Sequence, residues 1–94
     1  MAGEAGAAAE REIRQLQKSK EKFQRLGNVA ELAATCNQLG ELLAAQGRFP
    51  EALEQHRQEL QLLEGAGDAL GCAVAHRKIG ERLAELRRFP RALQ

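Results

Sequence analysis

The sequence predicts an all-α, right-handed solenoid of antiparallel helix pairs, complete in its first full repeat and cut short in its second. Three observations predict it. First, one segment is written twice, 40 residues apart: residues 33–53 read AATCNQLGELLAAQGRFPEAL and residues 73–93 read AVAHRKIGERLAELRRFPRAL, with ten of 21 positions identical. Self-similarity at a period of about 20–50 residues marks stacked repeats. Second, apolar residues recur at helical three/four spacing through the chain. Third, Leu and Ala supply the apolar content and the only aromatic residues are three Phe, a composition of packed helices and not of strands.

The elements follow in order. Residues 1–9 are small and Ala-rich, and the reading assigns them to a flexible start. A capping helix is expected over 10–26, with Ile13, Leu16, Phe23 and Leu26 on its apolar stripe. Gly27-Asn28 ends it, because glycine readily supplies the left-handed residue past a helix terminus. The first repeat is expected over 29–64. Its first helix carries Leu32, Cys36, Leu39 and Leu43 and stops at Gly47-Arg48-Phe49-Pro50. The residue before a proline is pushed out of the α region, whereas proline itself suits the first helical turn. The second helix therefore starts at Pro50, carries Leu53, Leu60 and Leu63, and ends at Gly65-Ala66-Gly67-Asp68. Asp68 is placed to cap the next helix.

A partial repeat is expected over 69–94. Its first helix, about 69–86, sets Cys72, His76, Ile79 and Leu83 on one face, and Arg87-Arg88-Phe89-Pro90 repeats the earlier break. A fifth helix would begin at Pro90, four residues before Gln94, so the chain reads as a piece of something longer. Leu26-Gly27-Asn28 aligns with Ala66-Gly67-Asp68, which places Ile13 opposite Leu53 and Phe23 opposite Leu63. The first helix thus stands in as a lone second-type helix over the first full pair. A chain this small buries a limited core, and the reading expects marginal stability in isolation.

Size and composition exclude several classes. Ninety-four residues make one small domain, and a net charge of +1 creates no global pull toward nucleic acid or membrane. Nothing in the opening ten residues forms a signal peptide, and no apolar run reaches the ~18 residues of a membrane span. Cys36 and Cys72 have no paired spacing and read as thiols of a reducing compartment.

Cys36, Leu39-Gly40, Leu43 and Ala52, matched by His76, Ile79-Gly80, Leu83 and Ala92, resemble the signature of the tetratricopeptide (TPR) family. The glycines and alanines have a packing reason, since they let neighbouring helices approach. Glycine costs a helix about 1 kcal/mol relative to alanine, so its presence in mid-helix in both copies needs one. The period of 40 exceeds the usual TPR period of about 34. His56 and Glu59 also stand where that family more often has an aromatic residue and an alanine. The longer period and the Gly67-Asp68 turn resemble TPR scaffolds of the LGN/Pins type, which act in cell polarity and G-protein signalling; this is the alternative assignment.

The stretches LGELLAAQGRFPEALEQH (39–56), ALEQHRQELQL (52–62) and LGCAVAHRKIGERLAEL (70–86), with REIRQLQKSKEKFQR (11–25) ahead of them, are similar to the N-terminal TPR region of the Tonsoku-like family. That resemblance implies a nuclear scaffold, possible in the cytoplasm as well, that serves replication-fork recovery and homologous-recombination repair through repair-complex and histone-linked partners. The family's histone contacts belong to an ankyrin region outside this chain.

Catalysis finds no support. The hydroxyl residues Ser19 and Thr35 have no His/Asp pairing at motif spacing, His56 and His76 are the only histidines, and Gly65-Ala66-Gly67 lacks the strand and further glycine of a dinucleotide loop. No cofactor and no small-molecule substrate are expected. A metal site built from Cys36, His56, Cys72 and His76 would need close ligand pairs, and only Cys72 and His76, four apart, offer one. The reading assigns these residues to packing and expects no metal. The cations Arg11, Arg14, Lys18, Lys20, Lys22 and Arg25 are interleaved with Glu10, Glu12 and Glu21 and carry no aromatic platform. They read as a solvated face without nucleic-acid contact. A structural reading makes the same helix one strand of a coiled coil, with oligomerisation lost on Phe23→Glu. The candidate partner-binding residues lie on the concave face, on the first helix of each pair: Asn37 and Glu41, then Arg77 and Glu81. They would hold a peptide by charge and amide hydrogen bonds; alternatively Arg77 and Glu81 pair with each other.

Overall fold

Four helices pack one against the next in chain order in the computed structural model, which describes residues 2–90: α1 Ala2–Leu26, α2 Val29–Ala45, α3 Phe49–Gly65 and α4 Ala69–Arg88. There is no strand among the described residues. This is the all-α helical-repeat architecture that the internal repeat predicts.

The turns are built the same way three times. Gly27, Gly47 and Gly67 have φ of +68°, +76° and +71°. At each, the amide of the following residue reaches back to the carbonyl five positions earlier: Asn28 to Phe23 at 3.0 Å, Arg48 to Leu43 at 2.9 Å and Asp68 to Leu63 at 3.0 Å. This pattern satisfies the carbonyls that a helix end leaves open, and a left-handed residue at the glycine position makes it possible. The next helix is capped at once. Asn28 accepts from the Glu31 amide at 3.2 Å and Asp68 from the Gly71 amide at 2.8 Å. Arg48 caps α3 without a side-chain bond, and Pro50 in the first turn removes one of the amides that needs a partner.

Two boundaries differ from expectation. Helix α1 starts at Ala2, not at Glu10. Alanine is the strongest helix former, so a run of it extends the helix ahead of the apolar stripe, and Ala9 is buried. Helix α4 continues to Arg88 instead of closing near Leu86. The position of Gly47 is occupied by Arg87 in the second copy. Without a residue suited to positive φ the turn motif does not form, and the helix runs on until Phe89 precedes Pro90. The fifth helix expected from Pro90, with Ala92, lies outside the described residues.

The core centres on Ile13, Leu39, Leu43 and Ala52, with Leu16, Leu42 and Ala44 against it. Ile13 therefore faces inward, as its alignment with the buried Leu53 implies. Phe23 and Leu63 are both half-buried. Of the α1 stripe, Ile13 and Leu16 turn to the core, Phe23 is half-buried and Leu26 is exposed. Phe49 and Phe89, the same position of successive repeats, stack with ring centroids 5.8 Å apart.

The two repeat glycines behave differently. A Cβ on Gly40 would lie 2.5 Å from Cε1 and Nε2 of His56, whereas one on Gly80 would meet nothing within 4 Å. Gly40 thus admits the close approach of α3 that the repeat pattern predicts. Gly80 has no such neighbour among the described residues, which corrects the expectation of equal packing. The same asymmetry governs the rest of that face: Cys36 is fully buried and its counterpart His76 is exposed, and Leu43 is buried while Leu83 is 44% exposed. In the first copy α3 covers these positions. Among the described residues no helix takes that place in the second copy.

Candidate partner-binding surface

Helices α2 and α4, the first helices of successive pairs, lie side by side and share a cleft of about 430 Å³. Ala30, Ala34 and Asn37 line one wall, Leu70, Val74 and Lys78 the other, and Glu59 and Leu63 of α3 reach it from below. Small residues on α2 open the space, and Leu70 and Val74 remain exposed in it.

A polar strip continues from the cleft along both helices. Asn37 Oδ1 accepts a hydrogen bond from Lys78 Nζ. Glu41 Oε1 stands 4.0 Å from Lys78 Nζ, 3.9 Å from an Arg82 guanidinium nitrogen and 3.7 Å from His56 Nε2. Arg82 is buried along its stem and also meets Glu85 at 2.8 Å and Glu81 at 3.4 Å. Arg77 and Glu81 pair with each other at 2.7 Å, one turn apart on α4.

The four sequence-predicted residues therefore fall into two sets. Asn37 and Glu41 are tied across to Lys78 and Arg82, while Arg77 and Glu81 adopt the pairing weighed against partner contact. The exposed Arg77–Glu81 pair contributes about 0–1 kcal/mol, so it breaks readily when a better-placed charge arrives, whereas Lys78 and Arg82 are largely covered. Lys78 and Arg82 were missed as members of the strip, because nothing along α4 alone shows that they reach α2.

Beneath the strip lies a buried polar pair. His56 Nδ1 is 3.1 Å from Glu59 Oε1, and both residues are buried. His56 Nε2 has no hydrogen-bond partner. The two departures from the TPR pattern are thus one structural unit, and their spacing of three on a helix was the available signal.

Neither cysteine lines the cleft. Both are free thiols, and no group of three or more potential metal ligands occurs among the described residues. Burial pushes the Cys36 thiol up, opposed by Lys20 and reinforced by Glu59. Desolvation also raises Cys72, with Glu64 and Asp68 adding to it. Cys36 is fully buried and Cys72 only partly so, and access as well as thiolate content sets reaction rate. A maleimide added to native protein will label Cys72 and leave Cys36 until denaturant is added. Two thiols reacting at one rate would contradict the packing of Cys36.

Comparison with known proteins gives the chain its relatives. No family model matches it, and no solved structure does. Over 69 residues, 73% of the chain, it is 64% identical to the Tonsoku-like protein of Mus musculus and equally to that of Bos taurus. The chain is a homologue of the Tonsoku-like proteins. The match to the Danio rerio Tonsoku-like protein is 53% over 68 residues. The Tonsoku-like protein of Drosophila melanogaster still shares 38% over 60 residues. The chain spans about 5% of the length of the mouse and bovine proteins. Among the described residues no helix is long and apolar enough to cross a membrane.

Proposed function

We propose that this chain is a non-enzymatic protein-interaction segment of a Tonsoku-like nuclear scaffold that serves replication-fork recovery and homologous-recombination repair. Its partners are proteins of the repair complex, held on the α2–α4 surface. Histone contact falls to regions outside this chain. Homology to the Tonsoku-like proteins supports the assignment to that scaffold. The observation that carries the interaction role is the open cleft between α2 and α4, with the exposed Glu41 carboxylate and the exposed Arg77–Glu81 pair on the same two helices. Such a surface gives up little when a partner replaces that pair, and exposed Leu70 and Val74 supply apolar contact beside it.

Charge reversal at Arg77 and Glu81 provides the test. Each single reversal, Arg77→Glu or Glu81→Lys, destroys the pair and alters the surface. The double reversal rebuilds the pair with its charges exchanged. The measurement is quantitative co-precipitation of repair-complex proteins by the tagged chain from nuclei under replication stress. Capture is expected to fall severalfold in both singles and to stay low in the double. Full recovery in the double would reduce the pair to local structure and remove the proposed contact. Equal capture of those proteins by all forms would remove the proposed contact, and an absence of repair proteins from wild-type captures would remove the scaffold assignment.

A further inference from the structure

Helix α1 turns a continuous row of cations to solvent. Arg11, Arg14, Lys18, Lys22 and Arg25 are separated by three, four, four and three residues and are all exposed. At 100° per residue they fall within about 40° of a common direction, opposite the buried Ala9 and Ile13, and they extend over about 21 Å of helix. In one dimension Glu10, Glu12 and Glu21 interrupt these residues; on the helix all three fall outside that arc, Glu21 at its edge, four residues before Arg25. Glu10 is drawn sideways to Arg48 at 2.8 Å. Glu12 borders a depression with Leu16, Asn37 and Glu41, on one flank. Glu21 borders another with Gln17, Lys20 and Gln24, on the other flank. Among the described residues none of the five cations is ion-paired. Lys20 points inward instead, to Gln55 at 3.1 Å and to Gln58.

We infer that this face of α1 binds the phosphate backbone of a nucleic-acid duplex, without base preference. The composition of the face selects the partner. It carries no apolar side chain between the cations, whereas a protein interface needs an apolar centre with charge at the rim. It carries no aromatic residue on which unstacked bases of a single strand would lie. A straight row of cations is sufficient for phosphate contact, which positions a protein on a duplex and reads no sequence. The face lies on the side of α1 away from α2 and α3, so a duplex there leaves the α2–α4 surface free.

The test is fluorescence anisotropy of a labelled duplex of about 20 base pairs and arbitrary sequence, titrated with the whole chain over a series of salt concentrations. Release of counterions by five contacts gives a slope of log K against log salt near −4.5, by about −0.9 per phosphate neutralised. The Lys18→Gln/Lys22→Gln variant should lower that slope by about 1.8. A control with the same loss of charge elsewhere, Arg57→Gln/Arg87→Gln, should leave it unchanged. All four positions are exposed, and circular dichroism verifies the fold of each variant. Equal losses in the two variants would show attraction by total charge only and overturn the site. Tighter binding to polyglutamate than to the duplex would overturn the duplex in favour of an acidic peptide. Tighter binding to a single strand would overturn it in favour of unpaired nucleic acid.

Discussion

Gly40→Ala and Gly80→Ala are expected to change stability in opposite directions, although they are the same substitution at the same repeat position. Both glycines sit inside helices, where alanine is favoured by about 1 kcal/mol. At Gly80 nothing opposes that gain, because a Cβ there meets no atom within 4 Å. At Gly40 the Cβ would fall 2.5 Å from two ring atoms of His56. The ring is the far end of a side chain, but it is fully buried and tethered through Nδ1 to Glu59 at 3.1 Å. It yields only by breaking that bond or by pushing α3 away from α2. Overpacking of this kind costs about 1–3 kcal/mol, which exceeds the helix-propensity gain over most of its range. Thermal denaturation should show a lower midpoint for Gly40→Ala and a higher one for Gly80→Ala. About 1 kcal/mol corresponds to a shift of about 4–8 °C for a domain of this size. A rise in both midpoints would show that α3 does not bear on Gly40 as described.

That asymmetry marks the boundary of what a repeat can reveal in one dimension. Features fixed by near neighbours are legible. Gly27 and Gly67 take positive φ, Asn28 and Asp68 cap the helices behind them, and Ile13 is buried in register with Leu53. All of these depend on residues within a few positions of each other or on the period itself. The run-on of α4 is legible too, in the replacement of Gly47 by Arg87, which removes the residue suited to positive φ. Features set by side-by-side placement of helices were not legible. Lys78 reaches Asn37 across 41 residues, and Arg82 approaches Glu41 from the neighbouring pair. Neither contact has a local signature. The basic row on α1 required the helix to be seen as a cylinder, with Glu10 and Glu21 moved to its flanks. Cys36 and His76 differ for a further reason: burial belongs to what lies opposite a residue, and among the described residues an opposing helix covers Cys36 and not His76.

Glu59→Ala should destabilise the fold on its own and cost little when paired with His56→Leu. The two side chains form a buried hydrogen-bonded unit at 3.1 Å, and His56 Nε2 already lacks a partner. Removing Glu59 leaves both ring nitrogens of a fully buried residue without hydrogen bonds. A buried polar atom stripped of its partner costs about 1–3 kcal/mol. Replacing the ring by leucine as well removes the unsatisfied atoms together with the bond, and exchange of a buried polar pair for apolar groups costs far less than removal of one partner. Glu59 also borders the α2–α4 cleft, so its truncation opens toward solvent and leaves no sealed cavity. The coupling between the two sites follows from urea denaturation of the wild type, both single variants and the double. A favourable coupling of at least about 1 kcal/mol is expected, within the 0.5–3 kcal/mol observed for contacting residues. Additive losses, with the double variant as unstable as the sum of the singles, would mean that His56 supports α2 by its shape alone. The bond to Glu59 would then have no part in holding the ring against Gly40.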